Sequence, residues 1–377
     1  MKPAIVFGTR PEIIKLSPVV RAFEKGGIRP LLIHTGQHYD YEMSNVFLEE
    51  LELQRVDYHL EVGSGSQAEQ TGRAMIKIER VLMDEKPDVT IVQGDTNTVL
   101  AGALASVKLR IPAAHVEAGL RSFDRTMPEE INRILTDHAS DVLFPPTEEA
   151  RRNLEREGIT ENVYVTGNTI VDAVLQNSEI AEQKSRILEE LSLKPKGYIL
   201  ITAHRAENTD SRENLEKLIG ILESLPLPAV YPMHPRTENR LKAFGLWERV
   251  GQIKDLIVTK PLGYLDFLKL QKNAKIVMTD SGGVQEESII LNVPCLTLRY
   301  NTERPETIEA GGNVLVGLEK GRVLEYVNRL IEDEEFYRRM ANAPNPFGDG
   351  KAGERIASIL LGMYDGGKLV VRSSRFI

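Results

Sequence analysis

Along most of the 377-residue chain, short β-branched apolar runs alternate with longer stretches whose apolar positions recur at helical spacing. In the first half, Ala4–Phe7, Pro30–His34, Val89–Gln93, Ile111–His115, Val142–Phe144 and Val163–Thr166 read as strands. Helical patterns at Glu12–Glu24, Gln67–Glu85 and Thr96–Leu109 lie between them. The second half repeats the scheme, with strands at Tyr198–Thr202, Ala229–Tyr231, Leu256–Thr259, Ile276–Thr279, Pro294–Leu298 and Val314–Val316. Its helical patterns fall at Asn214–Glu223, Tyr264–Gln271, Gly283–Ile290 and Arg322–Ile331. Near-continuous apolar strands alternating with helices predict parallel sheets covered on both faces. The fold class is therefore α/β, with two Rossmann-like, doubly wound domains.

A polar helix at Val171–Leu193 is the expected link between them. The first domain is expected at residues 1–170 and the second at 171–352. A last helix near Gly353–Tyr364 is expected to bring 353–377 back onto the first domain. Open parallel sheets bind ligands beyond the carboxyl ends of their strands. Two such domains facing each other would bring both sets of strand ends to a central cleft.

Composition narrows the partners. There are 47 basic and 55 acidic residues, a net charge of −8, and no basic tract of the kind that holds nucleic acid. No uncharged apolar run approaches the roughly 18–20 residues of a membrane span. The chain enters its first strand without a signal-peptide layout, so a cytoplasmic protein is expected. The single cysteine, Cys295, sits in an apolar run and reads as a small buried hydrophobe, which excludes an internal disulfide or a thiolate zinc site. Histidines and carboxylates show no metal-ligand spacing, so no metal is expected.

Candidate chemistry clusters at the strand ends. Strand Ile111–His115 leads to Glu117, and Pro128-Glu129-Glu130 opens a helix soon after. These acids suit proton transfer on a small molecule; equally, Glu117 could pair with Arg121 while Glu129 complements a helix dipole. The first strand ends in Gly8-Thr-Arg-Pro-Glu, with Arg10 at a helix start and Lys15 a turn later, an arrangement that reads as an anion clamp. In the second half, Asp280-Ser-Gly-Gly-Val-Gln-Glu-Glu offers open backbone N–H groups at Ser281, Gly282 and Gly283 for a diphosphate. Glu287 lies within reach of ribose hydroxyls, and Phe267 could stack on a base or simply fill the core. His204 follows a buried strand, Arg304 follows another, and Asp95 in Gln93-Gly-Asp-Thr is either an acid or a helix cap. Gly348-Asp-Gly-Lys-Ala-Gly353 matches a dinucleotide fingerprint but follows no strand, and no acidic ribose ligand stands at the required distance. It is read as a loop opening the last helix, and no NAD is expected.

The motifs Gly-Thr-Arg-Pro-Glu, Gln-Gly-Asp-Thr, His-Val-Glu-Ala-Gly-Leu-Arg, Pro-Glu-Glu-x-Asn-Arg, Thr-Gly-Asn-Thr, His-Arg-x-Glu-Asn, Asp-Ser-Gly-Gly-x-Gln-Glu-Glu and Thr-Glu-Arg-Pro-Glu occur in order. Together they resemble the non-hydrolysing UDP-N-acetylglucosamine (UDP-GlcNAc) 2-epimerases across nearly the whole chain. The resemblance implies a GT-B fold and reversible epimerisation of UDP-GlcNAc to UDP-N-acetylmannosamine (UDP-ManNAc) without an oxidising cofactor, as used in polysaccharide biosynthesis. It implies elimination of UDP to 2-acetamidoglucal and re-addition. Asp95, Glu117, Glu129 and His204 then match the acid–base groups. Arg10, Lys15, Phe267, Ser281, Gly282, Gly283, Glu287 and Arg304 match the UDP-sugar contacts. A homodimer is implied, as is a second UDP-GlcNAc acting as activator near Gln37 and His234. The segment between Arg121 and Pro128 is shorter than in many bacterial members, which bears on how Glu129 is presented. Alternatives are an epimerase of a UDP-2,3-diacetamido uronic acid, a hydrolysing form releasing free ManNAc, a GT-B glycosyltransferase and a UDP-sugar sensor.

Overall fold

The computed structural model describes residues 1–36, 48–53 and 56–371. Gln37 lies outside the described residues. The chain divides into two compact units, Met1–Ala173 with Phe347–Ile377, and Val174–Pro346.

The first unit is built on strands β1 (Pro3–Phe7), β2 (Leu31–His34), β3 (Tyr58–His59), β4 (Val89–Gln93), β5 (Ala113–Val116) and β6 (Val142–Phe144). They pair in parallel in the order β3-β2-β1-β4-β5-β6. Every residue of β1 and β4 is buried, as expected of central strands covered on both faces. The Gln67–Glu85 and Asn97–Lys108 helices close one core, in which Ile78 and Leu82 meet Val92 and Val99.

The second unit repeats the topology with β7 (Ile199–Thr202), β8 (Ala229–Pro232), β9 (Leu256–Thr259), β10 (Ile276–Thr279), β11 (Cys295–Thr297) and β12 (Asn313–Leu315). Their order is β12-β11-β10-β7-β8-β9, again all parallel. Leu215, Leu218, Ile219 and Leu222, one face of the Arg212–Leu222 helix, join Ile199, Ile201 and Tyr231 in its core. Cys295, on β11, is fully buried, and burial pushes its thiol up to about 12.

The strand order reverses between β1 and β4 in one sheet and between β7 and β10 in the other. These are the switch points at which doubly wound sheets take their ligands.

Two expected elements differ, and one strand, β3, was not expected. Val163–Thr166 forms only a single bridge, between Val163 and Leu143. Tyr164 and Thr166 donate to the Leu143 and Pro145 carbonyls, but Pro145 and Pro146 have no N–H to return, so the ladder stops. The linking helix covers Thr169–Lys184 and then breaks, with a separate turn at Ile187–Glu190. At the break Ser185 donates to Asp266 Oδ1 at 2.6 Å and accepts from the Ile187 N–H, competing with the helix ladder. β3 is only two residues long and leaves no alternating pattern to read.

The last helix, Ala352–Asp365, packs on Arg10–Lys25 within the first unit. A Cβ on Gly353 would lie 2.7 Å from the Pro18 backbone carbon, so a side chain would force the helices apart. The Gly353 N–H also donates to Asp172 Oδ1 at 2.9 Å. The Gly-rich segment thus opens and seats this helix, as the absence of a preceding strand implies. Among the described residues, no helix is long and apolar enough to cross a membrane.

Candidate active site

In the first unit the acids converge where β4 and β5 end. Glu117 follows β5 with φ of 68°, a left-handed conformation uncommon for a residue other than glycine. Its N–H donates to the Phe144 carbonyl at 3.1 Å, which fixes the turn. The residue is 7% exposed, with Lys15 Nζ on Oε1 at 2.6 Å and the Gln93 amide donating to Oε2. Lys15 is thus a cation paired with Glu117. Arg121 instead bridges Asp137 at 2.8 Å and Glu157 at 2.7 Å.

Beneath this turn, fully buried His115 places Nδ1 2.6 Å from Asp137 Oδ1 and Nε2 2.9 Å from the Gly94 carbonyl. Burial alone would raise Asp137, but His115 and Arg121 together hold it below the usual carboxylate range. The loop after β4 is thereby tied to β5 and to the Pro128–Ala139 helix.

Asp95 is not a cap. Thr96 occupies the N-cap position, and the Asp95 carboxylate pairs with Arg133 at 2.5 Å. Asn132 donates to its backbone carbonyl at 2.9 Å. Arg133 also reaches Glu130 at 2.9 Å, and Glu130 accepts the Ser122 and Phe123 N–H groups at 3.0 Å. These bonds fold the short segment before the helix onto its first turn. Glu129, on that turn, is exposed.

At the end of β1, Arg10 is exposed at the helix start, while Glu12 is fixed inside. Glu12 accepts the Gly8 N–H at 2.5 Å and closes a capping box with Thr9. Burial dominates these bonds and pushes its carboxyl up to about 7.

In the second unit, His204 follows β7 and Asp280 follows β10. Fully buried Asp280 accepts the His204 and Arg205 N–H groups at 2.9 Å and the Asn208 amide at 3.0 Å, joining the two loops of the switch point. His204 is half-exposed, and its ring centroid lies 5.5 Å from that of His234. Burial holds His204 below its usual value, with His234, Arg205 and Arg236 acting in the same direction and Asp280 opposing. His234 caps the Pro235–Ala243 helix by accepting the Arg236 N–H at Nδ1.

Ser281 is the N-cap of the Gly282–Ile290 helix, and its side chain does not cap it. A Cβ on Gly283 would meet nothing within 4 Å, so this helix start is open to a ligand. Glu287 is buried on the same helix, and Phe267 is half-buried on the Tyr264–Asn273 helix. Arg304 is paired with Glu286 at 2.5 Å. Behind it Thr302 donates to Gln285, which also accepts from Asn313, holding the Thr302–Arg304 loop against the helix.

The structure thus groups Lys15, Asp95 and Glu117 at one switch point and His204, His234 and Ser281–Gly283 at the other, each within its own unit. Sequence reasoning passed over Gln93, Arg133 and Asp280. All three lie in the quoted motifs; polarity at the end of an apolar strand was the available signal for Gln93 and Asp280, whereas Arg133 lies on the Pro128–Ala139 helix and offered no such signal. Among the described residues no cluster of three or more histidines, cysteines or carboxylates is placed to hold a metal.

Glu117, buried and paired with Lys15 beside one Rossmann switch point, and an open helix start at the other fit a class: enzymes that work on a nucleotide-linked small molecule. The chain belongs to the UDP-N-acetylglucosamine 2-epimerase family, whose sequence profile matches residues 21–361. The UDP-N-acetylglucosamine 2-epimerase of Methanocaldococcus jannaschii is 54% identical over 367 residues, covering 96% of this chain and 99% of that protein. The crystal structure of the M. jannaschii UDP-GlcNAc 2-epimerase in complex with UDP-GlcNAc and UDP has 53% identity and a TM-score of 0.82. It aligns over 96% of this chain and 100% of that one. A UDP-2,3-diacetamido-2,3-dideoxy-D-glucuronate 2-epimerase from Pseudomonas aeruginosa is 40% identical, over 96% of this chain and 99% of that protein. The fold is accordingly GT-B-like, and the chain is an isomerase of the epimerase type.

Proposed function

We propose that the protein interconverts UDP-GlcNAc and UDP-ManNAc by inverting C2 of the sugar. The observation that carries this reading is Glu117, a buried carboxylate in a left-handed turn at a strand end, held between Lys15 and Gln93. A strained, fully paired acid at a switch point serves positioning better than stability. The identity to the M. jannaschii enzyme, higher than to the uronate epimerase, favours UDP-GlcNAc as substrate.

In this reading a carboxylate of the first unit removes the C2 proton. The C1–O bond to the β-phosphate breaks, its electron pair leaves with UDP, and C1=C2 forms. For return, a UDP oxygen re-adds to C1 and C2 is protonated on the opposite face. Atoms and electrons balance without an oxidant, so no redox cofactor is required. Opposite-face delivery needs more than one proton carrier, a role for Asp95, Glu117 and Glu129. Ser281–Gly283, Glu287, Phe267 and Arg304, with Arg10 and Lys15, retain UDP while its bond is broken. His204 acts beside the leaving phosphate. The same reading carries a cytoplasmic homodimer and a second UDP-GlcNAc as activator beside His234.

The test is incubation with UDP-GlcNAc alone, followed by NMR. UDP-ManNAc is the expected product. Free ManNAc with UDP would indicate hydrolysis, and turnover confined to the diacetamido uronate would reassign the substrate.

A further inference from the structure

Asp280 carries more than the nucleotide loop it begins. One oxygen, Oδ2, accepts from the His204 N–H, the Arg205 N–H and Asn208 Nδ2 at 2.9, 2.9 and 3.0 Å. The other, Oδ1, is buried without a hydrogen-bond partner among the described residues and lies 3.5 Å from His204 Nδ1. A buried carboxylate oxygen lacking a donor is costly, and the imidazole can supply that donor. The gap is wider than a closed hydrogen bond, as apo sites commonly show, and a modest ring rotation closes it.

We propose that Asp280 is a positioning residue for His204: Oδ1 takes the Nδ1–H, leaving Nε2 as the nitrogen that faces substrate, while Oδ2 fixes the loop carrying the ring. The role rests on the acid–base reading of His204 given above. A base oriented by a third group is a recurrent catalytic arrangement. Here the orienting group also begins the turn Ser281-Gly282-Gly283. Anything that moves the diphosphate loop therefore moves the histidine's partner.

The groups facing the ring are Asp280, His234, Arg205 and Arg236. The last three and burial disfavour a proton on His204. Asp280 favours it, so its charge helps to set how readily the ring accepts one.

The experiment labels the histidines of the full chain with 15N and follows His204 by NMR, with His204→Asn providing the assignment. In the native protein the neutral ring should carry its proton on Nδ1; an Nε2–H tautomer would overturn the proposal without any variant. Asp280→Asn keeps an oxygen for the backbone N–H groups but turns an amide NH2 toward the ring. It should switch the tautomer and lower the His204 titration midpoint by about one pH unit. It should also reduce kcat by about 100-fold with KM changed less than about threefold. Loss of turnover with tautomer and midpoint unchanged would sink the positioning role. If His204→Asn itself keeps full turnover while Asp280→Asn still switches the tautomer, the acid–base reading fails and the positioning stands.

Discussion

Glu12 offers a quantitative test of how tightly the first switch point is built. It is buried beneath the β1 turn, and its carboxyl is pushed from the usual 4.5 to about 7 because burial outweighs the N–H groups it accepts. The folded value is raised, so its contribution to stability is fully present below about 4.5 and is lost as pH rises through about 7. At about 1.4 kcal/mol per pH unit, the full effect is about 3 kcal/mol. Glu12→Gln keeps an oxygen for the Gly8 N–H but cannot ionise. Guanidinium unfolding of wild type and variant, followed by circular dichroism at about pH 5 and about pH 8.5, isolates the linkage. Relative to wild type, the variant should gain about 2–3 kcal/mol between the two conditions. An offset that is the same at both, or that moves in favour of wild type as pH rises, would refute the claim that burial raises this carboxyl.

Other consequences can be tested independently. Glu117→Gln should keep UDP affinity, measured by calorimetry, yet lower kcat by about 10²–10⁴-fold; unchanged turnover would mean that another group moves the proton. Asp137→Ala strips His115 and Arg121 of their shared carboxylate and should cost about 3–5 kcal/mol in denaturant unfolding, whereas a loss below about 1 kcal/mol would show that the network is not structural. Gly353→Ala should cost about 1–3 kcal/mol, because its Cβ meets Pro18 backbone rather than a movable side chain. Full native stability there would mean that the two helices can separate at no cost.

The fold was legible because its signal is periodic and redundant. Apolar strands such as Val89–Gln93 and Ile276–Thr279 match their observed limits, and Gln67–Glu85 shows both its capping serine and its amphipathic face. What escaped depends on single contacts between distant residues. The ladder at Val163 stops because Pro145 and Pro146 lack N–H groups on the neighbouring strand. The long helix breaks where Ser185 finds Asp266, far away in sequence. The site divides in the same way. Residue types at strand ends marked Asp95, Glu117, His204 and Ser281. Their pairings, Lys15 with Glu117, Arg133 with Asp95 and Asp280 with His204, are set by which strands become neighbours. Nearness in sequence suggested Arg121 for Glu117, but Asp137, lying under the same turn, captures that arginine.

The central claim is inversion at C2 by proton removal and return. Incubation with UDP-GlcNAc in D2O, followed by 1H and 13C NMR of the sugar, tests it most directly. The account predicts UDP-ManNAc carrying deuterium at C2. UDP-ManNAc formed with its C2 hydrogen retained, or no exchange and no product at all, would contradict it.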